Sequence, residues 1–280
     1  MKDISYIVAS KNDDYDKDNL NKLILTLNAN VIQLMERGID IEPILIDWCS
    51  EVPFHTLDRI KKEIKFPINH IYVDKSLLIL DGLNPQRFYE FFAKNVGIRQ
   101  SNNRYILIEN SDILNDDELS DSIVKLTKEN LNNVYGRPSL RVNVWYPNID
   151  EYTHYDTIND KPYGDLNPGD FMLATKDDWI KTEGYDETNS THKTSFRQTH
   201  MDVEILFQMI SKGMAPYFLN GYYRHMDHNR GGLTSYQQFG NQERNCLGYK
   251  NRETWGYSNY VPKKISENVY IISDFFKQNA

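Results

Sequence analysis

The chain has 280 residues, 40% hydrophobic and 26% charged, which is enough for a sizeable core and excludes global disorder. Its formal net charge of -8 and pI near 5.4 argue against a general nucleic-acid or acidic-membrane surface. Two cysteines, Cys49 and Cys246, make neither a disulfide framework nor a metal spacing; no apolar run reaches the ~18 residues of a membrane span, and a strand begins almost at once, leaving no room for a signal peptide. The expectation is a soluble cytoplasmic protein.

Ile4 to Ala9 reads as a first buried strand, running into the polar loop Ser10-Lys-Asn-Asp-Asp-Tyr15. Asp18 caps a long helix with Leu20, Leu23, Ile24, Leu27, Val31, Leu34 and Met35 on one face and Gly38 at its stop. Ile41 to Ile46 is a second strand, ending in Asp47-Trp48-Cys49-Ser50. Strand, helix and strand in this order form a βαβ unit with parallel neighbours. A short helix over Leu57 to Ile64 and a strand near His70 to Val73 come next. Asn84-Pro85 predicts a capped helix start, with Phe88, Phe91, Phe92 and Val96 facing inward. Tyr105 to Ile108 is a short apolar strand that stops in Glu109, Asn110, Ser111 and Asp112. Asn115 and Glu118 make a capping pair for a helix through Leu131.

Arg141 to Tyr146 predicts another strand. Asn148 to Asp170 is rich in Asp, Asn, Tyr, Pro and Gly and reads as a long functional loop. Gly169 to Thr175 is a strand leading to a Thr175 cap and a short helix through Trp179, stopped by Gly184. Glu187 to Thr199 is polar. His200-Met-Asp-Val-Glu204 opens a helix bearing Ile205, Leu206, Met209 and Ile210 and closed by Gly213. Tyr217 to Tyr223 mixes strand and turn. Asn229 to Pro262 is irregular, and Val269 to Phe276 predicts a docked terminal helix.

Three polar clusters fall at strand ends: Ser10 to Asp14, Asp47, and Asn110 to Asp112. On parallel neighbours they open on one edge, where open α/β sheets take ligands. The sequence has no Gly-rich dinucleotide fingerprint and no Gly-Lys-Ser/Thr phosphate loop, which disfavours a dehydrogenase or a P-loop enzyme. A metal-bridged diphosphate needs a carboxylate, which Asp112 offers, and Lys94 and Arg99 can add charge to phosphates. Asn110 and Asp112 equally suit a turn and the cap of the next helix. Asp202 reads either as a carboxylate favouring the helix dipole or as a general base for an acceptor hydroxyl, with Glu204 its competitor. His225 and His228 flank Asp227 and suit either a metal shell or a polar surface.

These words, in this order, resemble GT-A-type glycosyltransferases, in particular the family-2 inverting, nucleotide-sugar-dependent enzymes. The words are Ser10 to Tyr15, Ile46-Asp-Trp48, Ala93-Lys-Asn-Val-Gly-Ile-Arg99, Asn110-Ser-Asp112, Gly169-Asp-Phe171 with Trp179 and Gly184-Tyr185, His200-Met-Asp202, and His225-Met-Asp-His228. The resemblance spans about Ile4 to His228. It implies a nucleoside held by Ala9, Lys11, Asn12 and Asp47, with Lys94, Asn95, Arg99, Asn110, Ser111 and Asp112 completing the nucleotide site. Asn110-Ser-Asp112 stands where the family has Asp-x-Asp, with Asp112 on a divalent cation, Mn2+ or Mg2+, and His225 or His228 as a further ligand. Gly169, Asp170 and Trp179 fall to the donor or acceptor sugar, and Asp202 to the catalytic base. One departure stands out: Asn110 is neutral where the family has its first Asp, which points to weaker metal affinity.

The expectation is one GT-A-like α/β domain over 1–280, with a mostly parallel central sheet flanked by helices. Residues 1–131 form its nucleotide-sugar half, and 132–280 its acceptor half and tail. The expected function is transfer of a sugar from a nucleotide-sugar, a UDP-sugar in the first instance, to a hydroxyl of a glycan or glycoconjugate, with inversion. The alternatives are a nucleotidyltransferase that makes nucleotide-sugars and a non-catalytic carbohydrate-binding module. Neither nucleic acid nor a membrane span is expected as a partner.

Overall fold

The computed structural model describes residues 2–13, 17–144, 146, 148–149, 152–157, 169–188, 201–226 and 249–274, without side chains at 139, 143, 152–157 and 201–203. The chain opens with β1 (Ile4–Ser10), α1 (Asn19–Glu36) and β2 (Ile41–Trp48). A 3-10 turn at Phe54–Thr56 leads to α2 (Asp58–Glu63), β3 (Asn69–Val73), α3 (Lys75–Leu80) and α4 (Glu90–Gln100). Then come β4 (Tyr105–Glu109), β5 (Ile113–Asn115), α5 (Asp117–Glu129), β6 (Val134–Val144) and β7 (Tyr152–Thr157). The remaining elements are β8 (Phe171–Thr175), α6 (Lys176–Thr182), α7 (Met201–Ser211), β9 (Ala215–Met226), β10 (Lys263–Ser266) and β11 (Val269–Ile272). Among the described residues, no helix is long and apolar enough to cross a membrane.

One sheet runs through both halves in the order β10-β11-β3-β2-β1-β4-β8-β6-β9-β5, with β7 on β6. The neighbours β11, β3, β2, β1 and β4 are parallel, β8 is antiparallel to β4, and β6 and β9 are parallel. Helices cover both faces. The period-2 alternation of β1 sends Tyr6 and Val8 to one layer, with Leu23, Leu27 and Val31 of α1 and Leu119 and Ile123 of α5. Ile7 and Ala9 face the other layer, with Phe91, Phe92 and Val96 of α4 and Trp179 of α6. Each fully buried Leu or Ile here contributes about 1.5–3 kcal/mol. α4 lies close on the sheet because of Gly97. A Cβ there would sit 2.5 Å from Ile7 Cγ2, so a larger residue would lift the helix off β1.

Several sequence expectations change. The helix expected from Asn84-Pro85 begins only at Glu90, because Asn84 spends its side chain on Gln86 N–H in a local turn. Asp116 caps α5, accepting from Leu119 N–H at 2.8 Å, while Asn115 ends β5 and turns inward to Glu109. The strand expected at Arg141 starts seven residues earlier, at Val134, and Tyr217 to Tyr223 lies inside one long strand, β9. β7 interrupts the segment expected to be loop from Asn148 to Asp170. Where a helix was expected over Val269 to Phe276, residues 269–272 are instead β11, and 275–276 lie outside the described residues: Asn268, at φ 55, turns the chain back from β10, and Val269 and Ile272 pair beside β3. A four-residue apolar piece suits either period, and the pairing partners decide.

Candidate active site

β4 ends beside β1, Val8 against Glu109, and opposite the start of β8, Glu109 against Phe171. The residues just beyond β4 and just before β8 therefore meet. Asn110 N–H donates to the Asp170 carbonyl at 2.9 Å, and Asn110 Nδ2 donates to Asp170 Oδ1 at 3.0 Å. Lys94, on the first turns of α4 and wholly buried, donates to Asn110 Oδ1 at 2.6 Å and to the Gly169 carbonyl at 2.5 Å, and it pairs with Glu90. Asp170 Oδ2 takes Tyr223 OH at 3.1 Å and Arg141 Nη1 at 3.0 Å. Arg141 and Tyr223 are register partners on parallel β6 and β9, which is why both reach the same carboxylate. Burial opposes the Arg141 charge most strongly, but Asp170, Tyr223 and Asp112 together outweigh it and hold the guanidinium above its usual range.

Asp112 follows on the same edge. The β5–β9 ladder sets Ile113 opposite His225, and Met226 N–H donates to the Asp112 carbonyl at 2.8 Å. His225 Nε2 then lies 3.5 Å from Asp112 Oδ2. Burial, reinforced by the Asp170 charge, pushes the Asp112 carboxyl up to about 7, while Lys22 of α1 pulls it down, Glu90 raises it and Arg141 lowers it. A buried carboxylate held in this way gains from any cation brought beside it. Among the described residues, no group of three or more His, Cys, Asp or Glu gathers around one point as a complete metal shell. Asp112 and His225 are two donors, and a divalent ion there would have to complete its shell with oxygens from a ligand and water.

The expected nucleoside residues line the neighbouring strand ends. Ser10 and Asp47 are register partners at the ends of β1 and β2. Lys11 Nζ donates to the Pro85 carbonyl at 2.7 Å, Asn12 N–H to Ser50 Oγ at 2.7 Å, and Asn12 Nδ2 to the Val52 carbonyl at 2.9 Å. Asp47 accepts from Phe54 N–H at 2.8 Å, and burial pushes its carboxyl up to about 6 against hydrogen bonds from Ser50 and Phe54. Ala9 is buried in β1, and the Ser111 carbonyl accepts from Thr26 Oγ1 at 3.1 Å.

Three expected site residues are engaged elsewhere. Asn95 points away from the strand ends: its amide donates to the Tyr185 carbonyl and Glu187 Oε1, and its Oδ1 takes Tyr185 N–H. Arg99 closes the far end of α4 against the Trp255 and Glu253 carbonyls and stacks on the Trp255 ring at 4.1 Å. Trp179 is core, its indole N–H directed at the Ile106 carbonyl. Asp202 lies in the first turn of α7, its side chain outside the described set, and His228 lies outside the described residues. Sequence reasoning missed Glu90, Arg141, Tyr223 and Lys22. The only signal was an unpaired-looking charge or hydroxyl inside an apolar strand or helix face.

Solved structures share this arrangement of sheet and helices. A crystal structure of S. aureus TarS matches at 14% identity and a TM-score of 0.50, over 81% of this chain and 37% of that one. The fold is GT-A-like. TarS 1-349 matches at 14% identity and a TM-score of 0.49, over 81% of this chain and 60% of that one. The GT-A-like chain described here therefore spans less than two thirds of either TarS chain. A Drosophila β1,4-galactosyltransferase 7, solved as a mutant in complex with manganese, UDP-Gal and xylobiose, matches at 12% identity and a TM-score of 0.47, over 96% of this chain and 92% of that one. No family model matches the sequence, and no match to it was found among curated proteins.

Proposed function

We propose that the chain is a glycosyltransferase that moves a sugar from a nucleotide-sugar, a UDP-sugar in the first instance, to a hydroxyl of a glycan or glycoconjugate. The observation that supports this reading is the cluster of buried Lys94, Asp112, Arg141, Asp170 and His225, with half-buried Asn110 among them, at the C-terminal edge of β4, in a GT-A-like fold. Open α/β sheets bind their ligands at that edge. Asp47, Lys11 and Asn12 lie on the adjoining strand ends and take the nucleoside.

Asp112 and His225 would hold a divalent cation, which when bound supplies Lewis-acid stabilisation of the departing diphosphate. Lys94 balances Glu90 and fixes Asn110 and Gly169, so the edge around Asp112 is preorganised before substrate arrives. Asp202 takes the proton of the acceptor hydroxyl as its oxygen attacks the anomeric carbon. The bond from that carbon to the diphosphate breaks on the opposite face, through an oxocarbenium-like transition state, with inversion.

The test is a screen of nucleotide-sugars for release of the nucleoside diphosphate and for protection against thermal unfolding. Release from one sugar nucleotide, accelerated by a glycan acceptor, is expected. Glycan binding with no response to any nucleotide would contradict the proposal and leave a carbohydrate-binding module.

A further inference from the structure

Asn110 is neutral where the proposed cation-and-diphosphate site calls for negative charge, and both ends of its amide are engaged. Its Oδ1 takes Lys94, and its Nδ2 and backbone N–H both go to Asp170. Asn110 is thus a clamp on Asp170. From the other side, Tyr223 OH and Arg141 grip the second oxygen of Asp170. An ionised carboxylate offers about four lone-pair sites, and these side-chain contacts use three. Asn110, which holds Asp170 through two hydrogen bonds, lies two residues before Asp112, just beyond the end of β4.

We infer that Asp170, from the start of β8, supplies the second negative charge that Asn110 leaves out of the site beside Asp112. This rests on the nucleotide-sugar reading and deepens it. Among the described side chains, one lone pair of Asp170 is left over, and it would face a cation held by Asp112 through water, which makes Asp170 a positioning residue. Arg141 offsets part of its charge. The site is therefore weaker than one with two bare carboxylates and depends on the diphosphate to complete it.

The test is binding of Mn2+ and UDP to the full chain, read by calorimetry and by the electron paramagnetic resonance of free Mn2+, neither of which needs turnover. Asp170→Asn is expected to weaken Mn2+-dependent UDP binding about 10–100-fold, the usual scale for an outer-shell partner. Moving the charge back, in Asn110→Asp/Asp170→Asn, is expected to restore most of that affinity, which a merely structural role for Asp170 would not do. Asn110→Asp alone keeps the Arg141 pair and adds a carboxylate, so it should tighten Mn2+ binding. Native-like binding by Asp170→Asn overturns the inference, as does a folded charge-swapped variant that stays as weak as Asp170→Asn. If Asp170→Asn fails to fold, Asn110→Asp decides: tighter Mn2+ binding supports the inference, and unchanged or weaker binding overturns it. A native chain that binds no UDP with Mn2+ instead overturns the nucleotide reading beneath.

Discussion

Glu109 ends β4 wholly inside the layer under α1 and α5. Its Oε2 accepts from Tyr6 OH at 2.5 Å and Asn30 Nδ2 at 2.7 Å, and its Oε1 accepts from Asn115 Nδ2 at 2.7 Å. Burial outweighs these bonds and pushes the carboxyl from 4.5 up to about 7. The folded chain then keeps a proton that the unfolded chain has released. The Glu109 contribution to stability is fully present below about pH 4.5 and is lost as pH rises through about 7. Each pH unit between those values is worth about 1.4 kcal/mol, so the loss amounts to about 3 kcal/mol. Glu109→Gln removes the titration. The substituted amide needs an acceptor for its N–H, and Asn115 Oδ1, buried with no hydrogen-bond partner, provides one if the Asn115 amide turns over. Urea unfolding followed by far-UV circular dichroism at about pH 5 and about pH 8 measures the effect. The native chain should lose more stability between the two than the variant, by most of that 3 kcal/mol. Parallel pH dependences would refute the reasoning.

Gly184, at φ +65, would place a Cβ 2.4 Å from Asn95 Oδ1 and 2.6 Å from the Trp255 ring. Gly184→Ala should therefore cost about 1–3 kcal/mol of overpacking beyond backbone strain, whereas Gly213→Ala, with open space around it, should show the strain of about 1–2 kcal/mol alone; equal shifts in the urea midpoint would contradict this. Lys176 donates to the Ile98, Arg99 and Ser101 carbonyls and closes α4, and burial, followed by Arg99, lowers its ammonium to about 8. Lys176→Met should destabilise by about 1–3 kcal/mol at neutral pH, and it should abolish a rise in native stability above about pH 8 that denaturant titration would detect. Asp202→Asn should bind UDP-sugar normally and lose about 10²–10⁴-fold in transfer rate; a native rate in Asp202→Asn, with Glu204→Gln dead, would move the base to Glu204.

The parts of the fold legible in the sequence are those whose signal is local. The apolar face of α1, the cap at Thr175 and the β1–α1–β2 unit each declare themselves within one window, and Thr175 Oγ1 does take Asp178 N–H at 3.1 Å. The site was legible only in part, because its contacts join distant segments. Asn110 and Asp112 were singled out as residues at a strand end, and Asp170 only through the resemblance, but Arg141 and Tyr223 meet only through the parallel register of β6 on β9. Nothing around either residue announces that pairing. Asn95 and Arg99 sit in the same word as Lys94, yet helical geometry turns them elsewhere on α4, toward Tyr185 and Trp255, and only Lys94 faces the strand ends. The tail misled because its partner, β3, lies almost two hundred residues earlier.

The most direct test of the central claim is calorimetric titration of UDP, with and without Mn2+, into the native chain and into Asp112→Ala. Cation-dependent binding by the native chain and its loss in Asp112→Ala are expected, with the melting transition of the variant retained. Unchanged affinity in Asp112→Ala, or native binding equally tight without the cation, would contradict that claim.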